Sequence, residues 1–392
     1  MPPEIKVLHV VAGVSLTSGG PTSALMAILG MLSSSSVRCS VAVGIAGPPD
    51  EPMLRRIGSL APEVHGWPRE KFSRFGYSRG FSRDIGGLVR SCDIVHIHSF
   101  WNWPCYAAAR AARRAGVPVV FRPAGALDEF DVRKHAAAKA IIGPLWLRRL
   151  FEAPNVFHCT ARREAEKLVT YGGSARREVL FLPVAPLGRP DAAMRDEVRR
   201  RLRIPAGAPV VLFMSRINYK KGLEYLLPAL AAARRQIPDL HFILAGESDD
   251  GTGLMADRLI EQHGLGKWTR KLGFVGGDDK TAILAASDLF ALPSRNENFG
   301  VSVVEALAAG VPALVSPDVY IWNDIAGEGV VEICERSIAG VTGGILGMLR
   351  RREGGETPAA ARRLWERHFS PERLRSRYEE FYTSVAAART RP

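Results

Sequence analysis

The sequence predicts an α/β chain made of two successive units, each a parallel sheet covered by helices on both faces. Three observations carry that reading. Short apolar runs alternate with stretches of helical spacing. The rhythm restarts in the second half of the chain. A proline-bearing segment, Pro183-Val184-Ala185-Pro186-Leu187-Gly188-Arg189-Pro190, separates the two series.

In the first series Ile5–Val11, Arg38–Val43, Ile94–His98 and Val117–Phe121 read as buried strands, with Thr22–Leu32 and Tyr106–Ala115 as helices. In the second, Val210–Met214, His241–Ala245, Leu289–Leu292 and Val311–Val315 are strands, and Leu223–Arg235, Lys280–Ala286 and Val301–Ala309 are helices. From about Pro358 the chain is charged, amphipathic and helical. The boundary is placed at residue 186, giving domains 1–186 and 187–375 and a final helix and tail over 376–392. Ligands of such sheets sit beyond the carboxyl ends of the strands, which for two domains predicts a shared cleft.

Composition bounds the function. The 392 residues are 46% hydrophobic and 24% charged, ordinary for a globular chain and long enough for two cores. No run reaches the roughly 18–20 apolar residues of a membrane span. The start reads as a first buried strand rather than a signal peptide, so a cytoplasmic protein is expected. Five cysteines without a C-x-x-C pair predict buried free thiols, not a disulfide framework or a zinc site. The net charge of +13 is uneven: residues 1–185 hold 24 Lys and Arg against 14 Asp and Glu. A basic first half implies anionic partners. No nucleic-acid motif accompanies it, so no nucleic acid is expected.

Four segments carry candidate chemistry. Glu297 and Glu305 flank seven residues, and a helix is expected to begin near Asn298. Eight residues of helix rise about 12 Å, near the span from the sugar to the ribose of a nucleoside-diphosphate sugar. Glu297 would then hold sugar hydroxyls and Glu305 the ribose diol, with the backbone N–H groups of Asn298, Phe299 and Gly300 at the helix start. The bland alternative is a helix cap and an ordinary surface hydrogen bond. Arg216 and Lys221, in Ser215–Gly222, follow a strand end, where two cations can neutralise a diphosphate; a merely solvated basic loop is the alternative. Gly19 and Gly20 allow close backbone approach to a ligand, although no G-x-G-x-x-G fingerprint is present. His96 and His98 share one side of a strand, His98 at its carboxyl end. A core role is the plainer reading, more so for His96. No metal site is expected; Asp249-Asp250 and Asp278-Asp279 read as solvated pairs.

Together these segments resemble a known family. "SRINYKKG", "LAGE", "LGFVGG", "ASDLFALPS" and "ENFGVSVVEALAAGVPALVS", in that order over about 205–316, are similar to the donor domain of retaining GT-B glycosyltransferases of family 4. "GGPTSAL", "DIVHIHSFW" and "RPAGALDEFDVRKH" are similar to the acceptor domain of members that build bacterial polysaccharides. The resemblance implies two Rossmann-like domains facing across a cleft, the last helix crossing back to the first. It implies that Arg216 and Lys221 hold the donor diphosphate, Glu297 the sugar and Glu305 the ribose. Phe299 and Gly300 would offer backbone to sugar and phosphate, and Phe274 and Val275 would lie at the base. His98 would stand near the transferred sugar, and Gly19 and Gly20 would close over the donor. Two features depart from the pattern: Leu187-Gly188 stands where the family carries Asn-Gly, and the chain beyond Ser316 matches poorly.

Family members need no metal and no cofactor beyond the nucleoside-diphosphate sugar. The resemblance implies front-face substitution, in which Glu297, His98, Arg216 and Lys221 are the catalytic set. Glu297 would orient the sugar without acting as a nucleophile. The acceptor is expected to be a glycan or a lipid-linked intermediate. Lys134, His135, Lys139, Arg148 and Arg149 around the apolar Ile141–Leu147 suggest docking on an anionic membrane surface; a packed helix with a solvated basic face is the alternative. A nucleotide-sugar epimerase of the same fold and a basic nucleic-acid-binding protein are the rival readings.

Overall fold

A computed structural model of the chain describes residues 4–14, 20–47, 50–71, 73, 75–127, 155–168, 175–188, 191–248, 250–325, 329–352 and 357–389. The chain divides into two compact units. The first comprises Met1–Pro183 and Pro371–Pro392, the second Val184–Ser370.

The first unit holds strands β1 (Ile5–Val11), β2 (Val37–Ile45), β3 (Glu63–Pro68), β4 (Ile94–His98), β5 (Val119–Arg122), β6 (Asn155–Cys159) and β7 (Arg176–Val179). All pair in parallel, in the order β3-β2-β1-β4-β5-β6-β7. Its helices are α1 (Gly20–Leu32), α2 (Glu51–Gly58), α3 (Arg79–Arg90), α4 (Trp103–Arg114) and α5 (Arg162–Lys167). The polar residues before the helices do the capping. The Ser78 hydroxyl accepts from Phe81 N at 3.3 Å, and Asn102 Oδ1 from Cys105 N at 3.1 Å. The core lies between α3, α4 and the sheet, where Phe81, Val89, Ile97, Phe100, Ala108 and Val119 are fully buried.

The second unit continues with α6 (Ala192–Arg201), β8 (Val210–Met214), α7 (Leu223–Arg234), β9 (His241–Ala245), α8 (Thr252–Gln262), β10 (Thr269–Gly273), α9 (Asp278–Ala285), β11 (Leu289–Leu292), α10 (Val301–Ala308), β12 (Ala313–Val315), α11 (Trp322–Ile325), β13 (Val331–Ile333), α12 (Ile338–Arg352) and α13 (Thr357–His368). Its parallel sheet has the order β10-β9-β8-β11-β12-β13. Asp288 ties α6 to the sheet: its carboxylate meets Arg199 at 2.8 Å, Arg195 at 2.5 Å and the Val210 N–H at 2.8 Å.

Helix α14 (Pro371–Ala386) belongs to the first unit and packs on α1, β1 and β4. The division falls after Pro183 and the return begins at Pro371, so it differs from the boundaries at 186 and 375. Hydrogen bonds set it. The Val184 N–H donates to Phe369 O at 3.0 Å and Trp365 Nε1 to Val184 O at 3.1 Å, within the second unit. Tyr378 donates to Phe181 O at 3.0 Å within the first. All five cysteines are buried and free. Among the described residues no helix is long and apolar enough to cross a membrane.

Candidate functional site

In the second unit the loops leaving β8 and β11 bring Lys221 and Glu297 into an ion pair, Nζ to Oε2. Lys221 ends a tight turn, Tyr219–Lys221, capped by the Asn218 side chain. It is only 9% exposed. Gly222 follows with φ +73°, a conformation glycine takes without strain. Glu297 is fixed through its backbone: its N–H donates to Asp318 O at 2.9 Å and its C=O accepts from Tyr320 N at 2.9 Å.

Helix α10 begins at Val301, not near Asn298. Gly300 at φ +75° and ψ +58° is left-handed and starts the helix behind it. The span from Glu297 to Glu305 is therefore half loop and half helix, and the helical rise reckoned over all eight residues does not apply. Phe299 turns inward against Phe369, ring centroids 5.9 Å apart. Glu305, on α10, pairs with Lys280 Nζ at 2.7 Å, both half-buried. Lys280 was not singled out in the sequence; its one signal is a place in the first turn of the helix after the Phe274–Gly277 segment. Phe274 is 57% exposed and Val275 half-buried. Arg216 is exposed beyond β8. Of the acidic pairs, Asp250 accepts from the Tyr219 and Thr252 N–H groups at 3.2 and 3.0 Å.

In the first unit His98 ends β4, fully enclosed, in a row of polar side chains across one sheet face. Register places His9 beside His96, and His98 beside Arg122. Donor chemistry fixes the imidazole tautomers. His158 Nε2 lies 3.0 Å from Leu180 O, so it carries the proton. Its Nδ1 then accepts from His96 Nε2 at 3.3 Å, and His96 Nδ1 accepts from the Tyr382 hydroxyl at 2.8 Å. Arg122 Nε donates to His98 Nδ1 at 3.0 Å. His98 Nε2 therefore donates to His9 Nδ1 at 2.8 Å, leaving the His9 proton on Nε2. Burial, then the Arg122 charge, pulls His9 down to about 3; burial does the same for His158. His96 and His98 are also lowered, by burial first. Four neutral imidazoles result.

His98 is thus as deeply buried as His96, and both its nitrogens are engaged within the fold. Nitrogens of His9, His96 and His98 lie within 4.8 Å of one another, a convergence the strand spacing alone did not reveal. The Arg122 cation on His98 opposes adding a second cation there. Gly20 opens α1; Gly19 and the basic segment Lys134, His135, Lys139, Arg148 and Arg149 lie outside the described residues.

Residues 19–185 match the glycosyl transferase 4-like domain, and residues 194–340 match glycosyl transferases group 1. A glycogen synthase of Mycobacterium tuberculosis is 33% identical over 213 residues, 51% of this chain and 48% of that protein. A D-inositol 3-phosphate glycosyltransferase of Nocardioides is 31% identical over 298 residues, 68% of this chain and 63% of that protein. The chain thus spans 48% and 63% of the length of these two relatives. The crystal structure of Anabaena HepE with UDP and glucose superposes with a TM-score of 0.78 at 18% identity, over 97% of this chain and all of that one. WaaG, a glycosyltransferase of lipopolysaccharide biosynthesis, gives 0.72 at 14% identity, over 96% and 99%. With two Rossmann-like units, each matched by its own glycosyltransferase family model, the chain belongs to the GT-B glycosyltransferases.

Proposed function

We propose that the chain transfers a hexose-type sugar from a nucleoside-diphosphate sugar to a glycan or lipid-linked acceptor, with retention of anomeric configuration and without a metal ion. The observation that carries the reading is the pair of lysine–glutamate contacts, Lys221 with Glu297 at the loops leaving β8 and β11, and Lys280 with Glu305 between helices α9 and α10. Each pair offers a cation and an acceptor-only carboxylate, the complement of phosphates and sugar hydroxyls. Relatives named for sugar transfer, and the HepE structures with UDP and with UDP-glucose, support a nucleotide-sugar donor.

In this reading Lys221 and Arg216 meet the diphosphate and stabilise charge gathering on it as the sugar leaves. Glu297 accepts from sugar hydroxyls, Glu305 from the ribose diol, and Gly300 lets backbone approach the donor. Phe274 and Val275 border the base. The acceptor oxygen forms its bond to the anomeric carbon on the face from which the diphosphate departs. The leaving phosphate oxygen takes the acceptor proton, so no protein base enters. His98 has both nitrogens bonded within the first unit, so in this reading it holds Arg122 and His9 in place rather than touching the transferred sugar. The basic first half suits an acceptor presented at an anionic membrane surface.

The test is a melting series with UDP, GDP, ADP and TDP, with and without EDTA, on the parent chain, Lys221→Ala and Glu305→Ala. One diphosphate should raise the melting point, insensitively to EDTA, and both variants should lose the effect. No shift with any diphosphate would refute the donor site, and an EDTA-sensitive shift the metal-free mechanism. Product release that needs an added acceptor separates transfer from epimerisation.

A further inference from the structure

The first unit carries a buried charge with no ion-pair partner among the described residues. Arg122, at the carboxyl end of β5, is 2% exposed. Among the described residues it has no ion pair. Its Nε donates to a neutral imidazole, and its Nη2 has no partner. Glu164 acts on it electrostatically, but that carboxylate bonds Thr160 N at 2.7 Å, Thr160 Oγ1 at 3.1 Å and Gly125 N at 3.2 Å. Buried polar atoms normally find partners, and a buried guanidinium normally finds an anion.

Two further observations concern the same row of side chains. His9 Nε2, at the far end of the Arg122–His98–His9 chain of bonds, is also buried without an acceptor. Each link of that chain is polarised by the arginine charge, which strengthens the last N–H as a donor. Next to Arg122 the backbone is strained at two residues that are not glycine. Ser99 has φ +115° directly after β4, and Ala124 has φ +51° just after β5. The Ser99 N–H donates to Arg122 O at 3.1 Å. Such strain gathers where a fold is shaped for a ligand, and the carboxyl ends of strands are where these sheets bind one.

We propose that Arg122 forms an oxyanion subsite of the first unit, taking a phosphate or carboxylate group carried by the acceptor. The guanidinium fork matches either group, and the shared requirement is a compact anion with free lone pairs. That the anion belongs to an acceptor rests on the glycosyltransferase reading; that Arg122 binds an anion does not.

The 392-residue chain is titrated with inorganic phosphate and, separately, with glucuronate, each against chloride at equal ionic strength, while melting is followed. Arg122→Met removes the charge at similar volume; Arg122→Lys keeps the charge without the fork and serves if the methionine variant does not fold. UDP, GDP, ADP and TDP are the controls for the second unit. The proposal expects a phosphate- or glucuronate-dependent rise in melting point, with affinity weakened at least tenfold in either Arg122 variant and the diphosphate response intact. The anion that acts on the parent chain tells a phosphorylated acceptor from a uronic-acid one. If neither anion stabilises the parent chain, or if the effect survives in the variants, Arg122 is a structural arginine and the subsite falls. A parent chain that answers the anion but none of the four diphosphates would sink the donor reading and leave the anion site standing.

Discussion

The two units handle buried charge in opposite ways. In the second, Lys221 and Lys280 each face a carboxylate, and the side chains keep 11–26% of their surface. Paired, partly wet charges can exchange partners with a ligand at small cost. In the first, a row of four imidazoles and one arginine is closed from solvent, and among the described residues no carboxylate meets the arginine directly. There the imidazoles are kept neutral by burial rather than by pairing. One surface is therefore ready for exchange, and the other is rigid and sensitive to protonation.

Acid should separate them most strongly. His9 and His158 ionise near 3 in the fold and near 6.5 when unfolded. Between those values the unfolded chain binds protons that the folded one refuses, so stability falls as pH drops below 6.5. By pH 5 each such histidine costs about 2 kcal/mol. His96 and His98 act in the same direction. Melting at pH 5 should fall well below that at pH 7, with hydrogen exchange rising first in β1, β4 and β6. Equal melting at the two pH values would mean that the row ionises without unfolding.

Next in size is Lys221→Met. Under the donor reading it removes a cation aimed at the leaving diphosphate, and kcat/KM should drop about 10²–10³-fold. The free chain should lose little stability, because the pair it breaks is partly solvated. A variant with altered KM and unchanged kcat would confine Lys221 to ground-state binding.

Gly222→Ala should come third. Alanine at φ +73° is strained, and its Cβ would stand on the Pro293 carbonyl oxygen. A loss of about 2–3 kcal/mol is expected in denaturant melts. Gly20→Ala is the comparison: its Cβ meets nothing within 4 Å at the start of α1, and it should be neutral for stability. A Gly222 variant as stable as that one would show that the β8 loop yields.

The units also differ in how far the sequence announced them. Strands buried on both faces, such as Val7–Val11 or Val210–Met214, read directly as apolar runs. Those left unread, β3, β7, β10 and β13, are all sheet edges, half-solvated and polar in sequence: EVHGWP, RREV, TRKLG, VEI. The short β6 was missed although interior. Glu297, Glu305 and Lys221 could be picked out because charged residues beside glycine at strand ends are conspicuous. The histidine row could not. His9, His96, His98, Arg122 and His158 come from four strands, and only the register brings them together. The start of α10 was misplaced because Gly300 fits a helix interior and a left-handed stop equally well on paper.

The finest test concerns Lys280. Its Nζ engages Oε1 of Glu305, and no bond to Oε2 is made by it. In the donor reading this anchors the carboxylate with one oxygen turned to the ribose diol. A hydroxyl bonded to a charged acceptor is worth about 1.5 kcal/mol, so the parent chain should prefer the nucleoside diphosphate it binds over that nucleotide's 2′-deoxy form about tenfold. Glu305→Gln should weaken that preference by removing the charge. Lys280→Met keeps the carboxylate but frees it to rotate, so discrimination should narrow to about threefold while the ribonucleotide still binds. Calorimetric titration of both nucleotides reads the ratio directly. Full discrimination in Lys280→Met would make the lysine a surface counter-ion only. Its complete loss would mean that the ammonium itself touches the ribose.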